Sequence, residues 1–425
     1  MSQGDGINRR QFLAGSAAAA MMLMVGAEEL KADPPPPTPA PTGPPIGCGV
    51  IGLGFRGRDI LSALAKQPGA NIIAFCDTYQ PASKRGLEIA PKAASPIDYH
   101  QLLDNKAVDA VFVATPTYLH RQITLDAIAA GKHVYCEAPL ASTLDDAKAI
   151  AVGGQGSAKI FQVGLQQRTN PQVTHVLKFI ETGTLGDTAQ VRTQWHKRTS
   201  WRKPAPTDAR EKEINWRLSR ATSSGLVGEE GVHHIDMTNW FLKSLPLSAT
   251  GMGGVLAWKD GRDVFDTVQL ILEYPNNLHM LFDATLASSY DASYDLFMGS
   301  LSTILLKENR AWMFQEADSP TLGWEVYARK DKIGDETGIA LVADATKQLT
   351  LGLKPAAEKP PDPNAALQDE LSQAVGAFLQ SVRDNKKPDA GPLEGYQSAV
   401  VAIKANDAIQ SGSTVSFQKE MFDLA

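Results

Sequence analysis

Residues 46–78, IGCGVIGLGFRGRDILSALAKQPGANIIAFCDT, read as a strand, a glycine-rich turn, a helix and a second strand. The apolar run ends at Gly52-Leu53-Gly54-Phe55-Arg56-Gly57, after which Ile60, Leu61, Leu64 and Ala65 recur at helical spacing. Asn71 to Cys76 forms the next strand and delivers Asp77, 20 positions after the last glycine. A lone GxGxxG is a weak signal; strand, helix and acidic residue in this order make it a dinucleotide fingerprint. Gly52 permits a tight turn, Gly54 lets the backbone approach a pyrophosphate, and Gly57 lets helix and strand pack closely. The helix N-terminus adds its positive dipole end. Asp77 is placed to accept from ribose hydroxyls, which favours NAD; Arg85 nearby softens that preference and keeps NADP open. Phe55 and Arg56 join the glycines as candidate cofactor contacts.

The alternation continues. VDAVFVATPTYLH (108–120) is a buried strand running into Thr115-Pro116-Thr117, and His120 opens the next helix. KHVYCEAPLA (132–141) and KIFQVGLQQRTNP (159–171) are further strands. This rhythm means a parallel, doubly wound sheet of Rossmann type over residues 46–165, with ligands at the carboxyl ends of its strands. From about Asp187 the pattern changes to period two. TAQVRTQW, VFDTVQLILEY, LHMLFDATLAS, TILLKEN and AWMFQEA predict an antiparallel sheet with one wet face. Gly323 to Pro361 reads as an irregular excursion, and two closing helices (364–385 and 394–412) and a short strand, TVSF, complete the chain. The expected fold is α/β: a Rossmann domain, then an α+β domain over residues 166–425 with a large open antiparallel sheet.

The 425-residue chain is long enough for two domains, and its net charge of -6 argues against a nucleic-acid partner. Cys48, Cys76 and Cys136 sit in or beside predicted strands, with no CxxC; they read as buried thiols, without a disulfide framework or zinc site. The N-terminus carries a twin arginine, Arg9-Arg10, then an apolar run to Ala27. That run is shorter than the ~20 residues of a spanning helix. It predicts a signal over residues 1–32 and export by the twin-arginine translocase to the periplasm, with an uncleaved membrane anchor as the variant. DPPPPTPAPTGPP, from Asp33 to Pro45, predicts an extended arm.

The chain resembles the Gfo/Idh/MocA family, on GVIGLGFRG, Asp77, ATPTYLH, CEAPLA, GLQQR and GLVGEEGVHHIDMTNWFL. The resemblance runs from about Ile46 to Phe417. It implies the two-domain fold above, NAD(P) in the crevice, a sugar or polyol substrate, and assembly into dimers or tetramers through the sheet. Thr115, Pro116, His120, Glu137 and Gln166 are the matching candidate cofactor contacts. In the family, an EKP motif supplies a lysine that exchanges the substrate proton. Here Glu137 and Pro139 match, but Ala138 stands where the lysine would be. The family's Asp-x-Gly-x-His pattern falls on Glu229 to His233, and Asp236 follows.

With no lysine, His233 becomes the leading acid/base group, since an ordinary imidazole titrates near neutrality. Glu229, four residues earlier, and Asp236, three later, share a helical face with it and are expected to orient it. A metal held by the three is the weaker alternative, because no second His/Cys pair lies at ligand spacing. Arg168, Trp195, His196 and Trp201 lie at or after strand ends and are candidate substrate contacts, as is His234, an additional histidine without a counterpart in the family pattern. The implied function is an exported NAD(P)-dependent oxidoreductase with a tightly held, internally recycled cofactor. The alternatives are a redox-neutral glycosidase or lyase working through a transient keto-sugar, and a non-catalytic sugar-binding protein.

Overall fold

Why the first segment folds as read is visible in its burial. The computed structural model describes residues 43–320, 330–341 and 363–424. All six residues of β1 (Ile46–Ile51) are buried, as expected of a central strand with helices on both faces. The chain then alternates through α1 (Phe55–Lys66), β2 (Ala70–Cys76), α2 (Gln80–Ile89), α3 (Tyr99–Asp104), β3 (Ala110–Val113), α4 (His120–Ala129), β4 (His133–Cys136), α5 (Leu144–Gly156) and β5 (Phe161–Val163). The strands form a wholly parallel five-stranded sheet in the order β2-β1-β3-β4-β5. The chain order reverses between β1 and β3, and their carboxyl ends open the crevice where such sheets take ligands. Cys48, Cys76 and Cys136 are buried free thiols in its strands.

The second half contributes α6 (Pro171–Glu181), β6 (Thr188–His196), α7 (Asp208–Ile214), α8 (Val232–Leu242) and strands β7 (Ser248–Gly254), β8 (Thr267–Tyr274), β9 (Leu278–Thr285), β10 (Ser293–Gly299), β11 (Ser302–Lys307) and β12 (Arg310–Gln315). Then come β13 (Lys330–Ile333), β14 (Glu336–Leu341), α9 (Pro363–Asp384), α10 (Pro392–Ser411) and β15 (Val415–Ser416). The strands form one ten-stranded sheet, β13-β14-β12-β11-β10-β6-β9-β8-β7-β15. Its period-two burial puts Val268, Leu270 and Leu272 of β8 against the helices and leaves Ile271 on the open face. Alanines 399, 402, 405 and 408, all fully buried, let α10 pack closely against the sheet and the other helices.

Three points differ from the sequence reading. The large sheet is mixed, because β6 pairs in parallel with β9. Part of the expected irregular excursion is strand: β13 and β14 extend the sheet beyond β12. And α9 belongs to the parallel sheet's core: Leu371, Val375, Phe378 and Leu379 pack with Ile60, Leu61, Phe112 and Tyr135. The Phe378 ring stands edge-on to Phe112 and Tyr135, at 5.2 and 5.7 Å between centroids. The predicted signal and all but the end of the Pro-rich arm lie outside the described residues. No helix among the described residues is long and apolar enough to cross a membrane.

Candidate active site

The glycine turn shows what each glycine is for. Gly52 adopts φ +91°, and a Cβ there would stand 2.7 Å from the Ala114 carbonyl oxygen. A Cβ on Gly57 would lie 1.8 Å from the Gly52 carbonyl oxygen, so α1 packs this closely on β1 only with glycine. Gly54 is different: a Cβ there would meet nothing within 4 Å. The polypeptide leaves that side of the turn open, so that a pyrophosphate could approach the backbone there. Asp77 accepts from the Leu53 and Tyr79 backbone N–H groups, each at 2.7 Å, and retains acceptor capacity on both oxygens. Thr115 Oγ1, just after β3, is buried with no hydrogen-bond partner among the described residues. An open backbone cradle, a held carboxylate and an unpartnered hydroxyl at the strand ends fit NAD.

Around the cradle, Arg56 Nε lies 3.0 Å from Glu137 Oε1. Gln166, buried, reaches Tyr135 Oη and Glu137 Oε2 at 3.4 and 3.5 Å, both long contacts. His120 corrects an expectation. It is 1% exposed, with Nε2 3.0 Å from the Thr115 carbonyl and Nδ1 3.1 Å from that of Pro139. It is a clip between the loops after β3 and β4, not a cofactor contact; burial pushes its pKa down, against the hydrogen bonds to these carbonyls.

The second set of residues surrounds the start of α8. Val227–Gly231 is a π-helical turn, one residue wider than an α-turn, and it changes which side chains share a face. Glu229 therefore does not reach His233. Its Oε1 accepts from Ser223 Oγ and Ser224 Oγ, both at 3.2 Å, and from Thr117 Oγ1 at 3.5 Å; its Oε2 lies 3.3 Å from Arg217 Nε. The Thr117 contact ties the π-turn to the loop after β3. Arg217 in turn sits over the Trp216 and Trp201 rings, 4.8 and 5.7 Å from their centroids. Trp201 is held at φ +57°, a left-handed conformation that costs a bulky residue about 1–3 kcal/mol and collects at ligand sites.

Asp236 also fails to orient His233. It accepts from Arg168 Nε and Nη2 at 2.8 and 3.0 Å and from Ser398 Oγ at 2.8 Å. With the Arg168 and Asp236 side chains 10% and 3% exposed, this is a buried clamp joining the loop after β5 to α8 and α10, and Arg168 is not a substrate contact. The expected triad is thus absent. His233 is half-buried, and among the described residues its side chain makes no hydrogen bond or ion pair; burial, then Arg56, then His234 push its pKa down to about 3. It is His234 that has a carboxylate partner: Nδ1 lies 2.6 Å from Asp295 Oδ1, and Nε2 3.4 Å from Ser293 Oγ. Both partners lie on β10, so His234 anchors α8 to the sheet; it is 3% exposed and does not open to a substrate.

Trp195 and His196 are adjacent on β6 and so face opposite sides of the sheet. Trp195 pairs with Ser293 on the helix side. His196 is on the open side, with Nε2 2.6 Å from Asp283 Oδ2 and Nδ1 3.0 Å from the Tyr290 carbonyl, away from the cleft. Tyr294 shares that open side with Gln194, and Tyr290 is 83% exposed, so neither phenol replaces the missing lysine. Among the described residues, no three His, Cys, Asp or Glu side chains form a metal-binding group. The residues missed from sequence are Thr117, Arg217, Trp216, Ser223, Ser224 and Glu230. Only the Trp216-Arg217 pair carried a signal, an aromatic beside a cation of the kind that lines sugar sites.

The comparisons with known proteins agree with this architecture. A family model described as "Oxidoreductase family, NAD-binding Rossmann fold" matches residues 46–165, and one described as "GFO/IDH/MocA C-terminal domain" matches residues 173–301, together more than half of the chain. Inositol 2-dehydrogenase 2 of Saccharopolyspora erythraea is 27% identical over 87% of this chain and 94% of its own. The 2,7-anhydro-N-acetylneuraminate hydratase of Mediterraneibacter gnavus is 23% identical over 85% and 93%. A solved levoglucosan dehydrogenase, in complex with NADH and L-sorbose, shares the fold with a TM-score of 0.72 at 19% identity, covering 88% of this chain and all of that one. The glycine turn, the crevice it opens and these matches together make the chain a member of the Gfo/Idh/MocA family of NAD-binding oxidoreductases.

Proposed function

We propose that the chain is an exported enzyme that oxidises a hydroxyl-bearing carbon of a sugar, polyol or glycoside, with NAD held tightly and restored in place. When bound, the nicotinamide supplies the two-electron acceptor. The residues of this chain do the rest. The Gly52–Gly57 turn seats the pyrophosphate, Asp77 takes the ribose, and the Arg56–Glu137 pair closes the near side of the crevice. His233, kept neutral by its surroundings, holds a substrate hydroxyl as a hydrogen-bonding group. Trp201 and Trp216, splayed about Arg217, offer ring faces of the kind that stack on pyranosides.

The observations that carry this reading are the bare space at Gly54 and the half-buried His233, whose side chain has no partner among the described residues. Export rests on the twin arginine of residues 9 and 10, and internal recycling follows from it: a nucleotide carried out of the cytoplasm has no pool to exchange with. The open face of the ten-stranded sheet suits a dimer or tetramer. The redox-neutral alternative, elimination or hydration through a transient ketone, is favoured by Ala138 and by the hydratase name of one relative. Mass spectrometry of the protein purified from the periplasm and denatured tests both nucleotide and export. NAD released in near-equal amount supports the proposal; an empty protein that also fails to bind added NADH ends it. A panel of polyols and glycosides then separates the two chemistries: ketone accumulation marks the first, aglycone or water release the second.

A further inference from the structure

Resting on the reading above, we propose that Glu230 supplies the proton acceptor that Ala138 lacks, its carboxylate taking the proton of the substrate hydroxyl. Glu229 and Glu230 are adjacent on the π-turn and have opposite circumstances. Glu229 is 2% exposed at its side chain and is held by three hydroxyls and Arg217. Glu230 is more open, and among the described residues it makes no hydrogen bond or ion pair. It is therefore the carboxylate of the pair with acceptor capacity to spare. Its turn is tied by Glu229 to Thr117 of the loop after β3, and it lies three residues before His233, which is within electrostatic reach of Arg56 on the glycine turn. Glu230 thus sits on a turn fastened to the loop after β3, at the carboxyl end of a strand where sheets of this kind take their ligands. π-turns recur at functional sites, where the extra residue re-aims a side chain.

The charged groups around Glu230 are Arg217, Glu229, Lys197 and His234. Burial first, and Glu229 third, raise its pKa; Arg217, Lys197 and His234 oppose, and the balance is about 7. A base tuned to neutral pH is the efficient one. His233, driven down to about 3, binds a proton too weakly to take it from an alcohol. In the step proposed, the substrate O–H bond breaks and its proton passes to the Glu230 carboxylate. The C–H bond is lost as the carbonyl forms, its two electrons and hydrogen going to oxidised nicotinamide. The carboxyl then returns its proton to solvent.

The test uses the full chain, wild type and Glu230→Gln, with Glu230→Asp as a second variant. Carbon NMR of protein labelled at glutamate carboxyls, compared between wild type and Glu230→Gln, isolates the Glu230 resonance. A titration midpoint near 7 supports the proposal; one in the ordinary carboxylate range overturns it. Turnover is followed with NAD on myo-inositol, levoglucosan and a glucoside panel. For whichever of these the wild type oxidises, Glu230→Gln should lose about 10²–10⁴ in kcat and the rising limb of the pH profile, with Glu230→Asp recovering part of both. NADH binding should persist, and the melting point should not fall. A wild type that turns over while Glu230→Gln stays within threefold of it overturns the Glu230 role alone. A wild type inert on every probe overturns the oxidoreductase reading and the Glu230 role with it.

Discussion

The glycine turn at residues 52–57 and the π-turn at residues 227–231 both face the crevice, yet sequence spacing describes one well and the other badly. In the first, the backbone is fixed at three points: β1 delivers the chain, the Gly52 carbonyl abuts Gly57, and Asp77 fastens the Leu53 amide. Spacing along the chain then converts directly into positions in space. In the second, an i,i+4 argument assumes 3.6 residues per turn, and the helix does not keep that pitch. The wider turn sends Glu229 to Arg217 and the serines, and leaves His233 without a carboxylate. Motif spacing is reliable where sterics leave one backbone path and fails where a single extra residue in a turn is tolerated.

Substitutions can sharpen or break that contrast. The largest effect is expected at Gly57→Ala, whose Cβ would overlap backbone; loss of about 4 kcal/mol or more, or of soluble protein, should show in denaturant unfolding. Gly54→Ala is the matched control: it should fold normally but bind NADH at least tenfold more weakly by titration calorimetry, about 1.4 kcal/mol. If the two behave alike, the turn does not separate folding from ligand as described. Next comes Asp236→Ala, which strands Arg168 in a buried site and should cost about 3–5 kcal/mol of stability. Were Asp236 an orienter of His233, the loss would appear in kcat at an unchanged melting point.

Smaller, and opposite in sign, is the stability effect at Glu230. Burial raises its folded-state pKa to about 7, above the 4.5 of an ordinary glutamate, so the folded protein holds a proton that the unfolded chain releases. That contribution is complete below about pH 4.5 and is lost as the pH rises through 7. Glu230→Gln should therefore melt higher than wild type at pH 8 and show little gain at pH 4, which pH-dependent calorimetry reads directly. Smallest is Trp201→Gly, where relief of a left-handed backbone offsets the lost ring packing. A net change within about 1 kcal/mol is expected, with a raised KM.

Much of the fold was legible because its signals are local. The buried run of β1, the period-two strands and α10 follow from patterns within one element. What was missed depends on distant partners. Nothing in residues 188–196 says that β9 will lie parallel beside them, or in residues 371–379 that they cover another sheet. In the site, Arg168 and His196 were placed in the cleft by chain position alone; their partners, Asp236 and Asp283, lie 68 and 87 residues away. The opposite facing of Trp195 and His196 was readable from strand alternation. The division of labour between Glu229 and Glu230 was not, since two adjacent glutamates look identical until their surroundings are known.

The place of α9 has a consequence for how the molecule is made. Val163 completes the parallel strands early in synthesis, but Leu371, Phe378 and the Arg383 guanidinium, which caps the Gly69 carbonyl at 2.6 Å, leave the ribosome only after the entire ten-stranded sheet except its last strand, β15. Until then Phe112 and Tyr135 border an uncovered apolar face, the sort of surface on which nascent chains stick to one another. The nucleotide half is thus begun first and finished late, and a stop codon between β12 and residue 371 should take away a binding site whose own residues have all been translated.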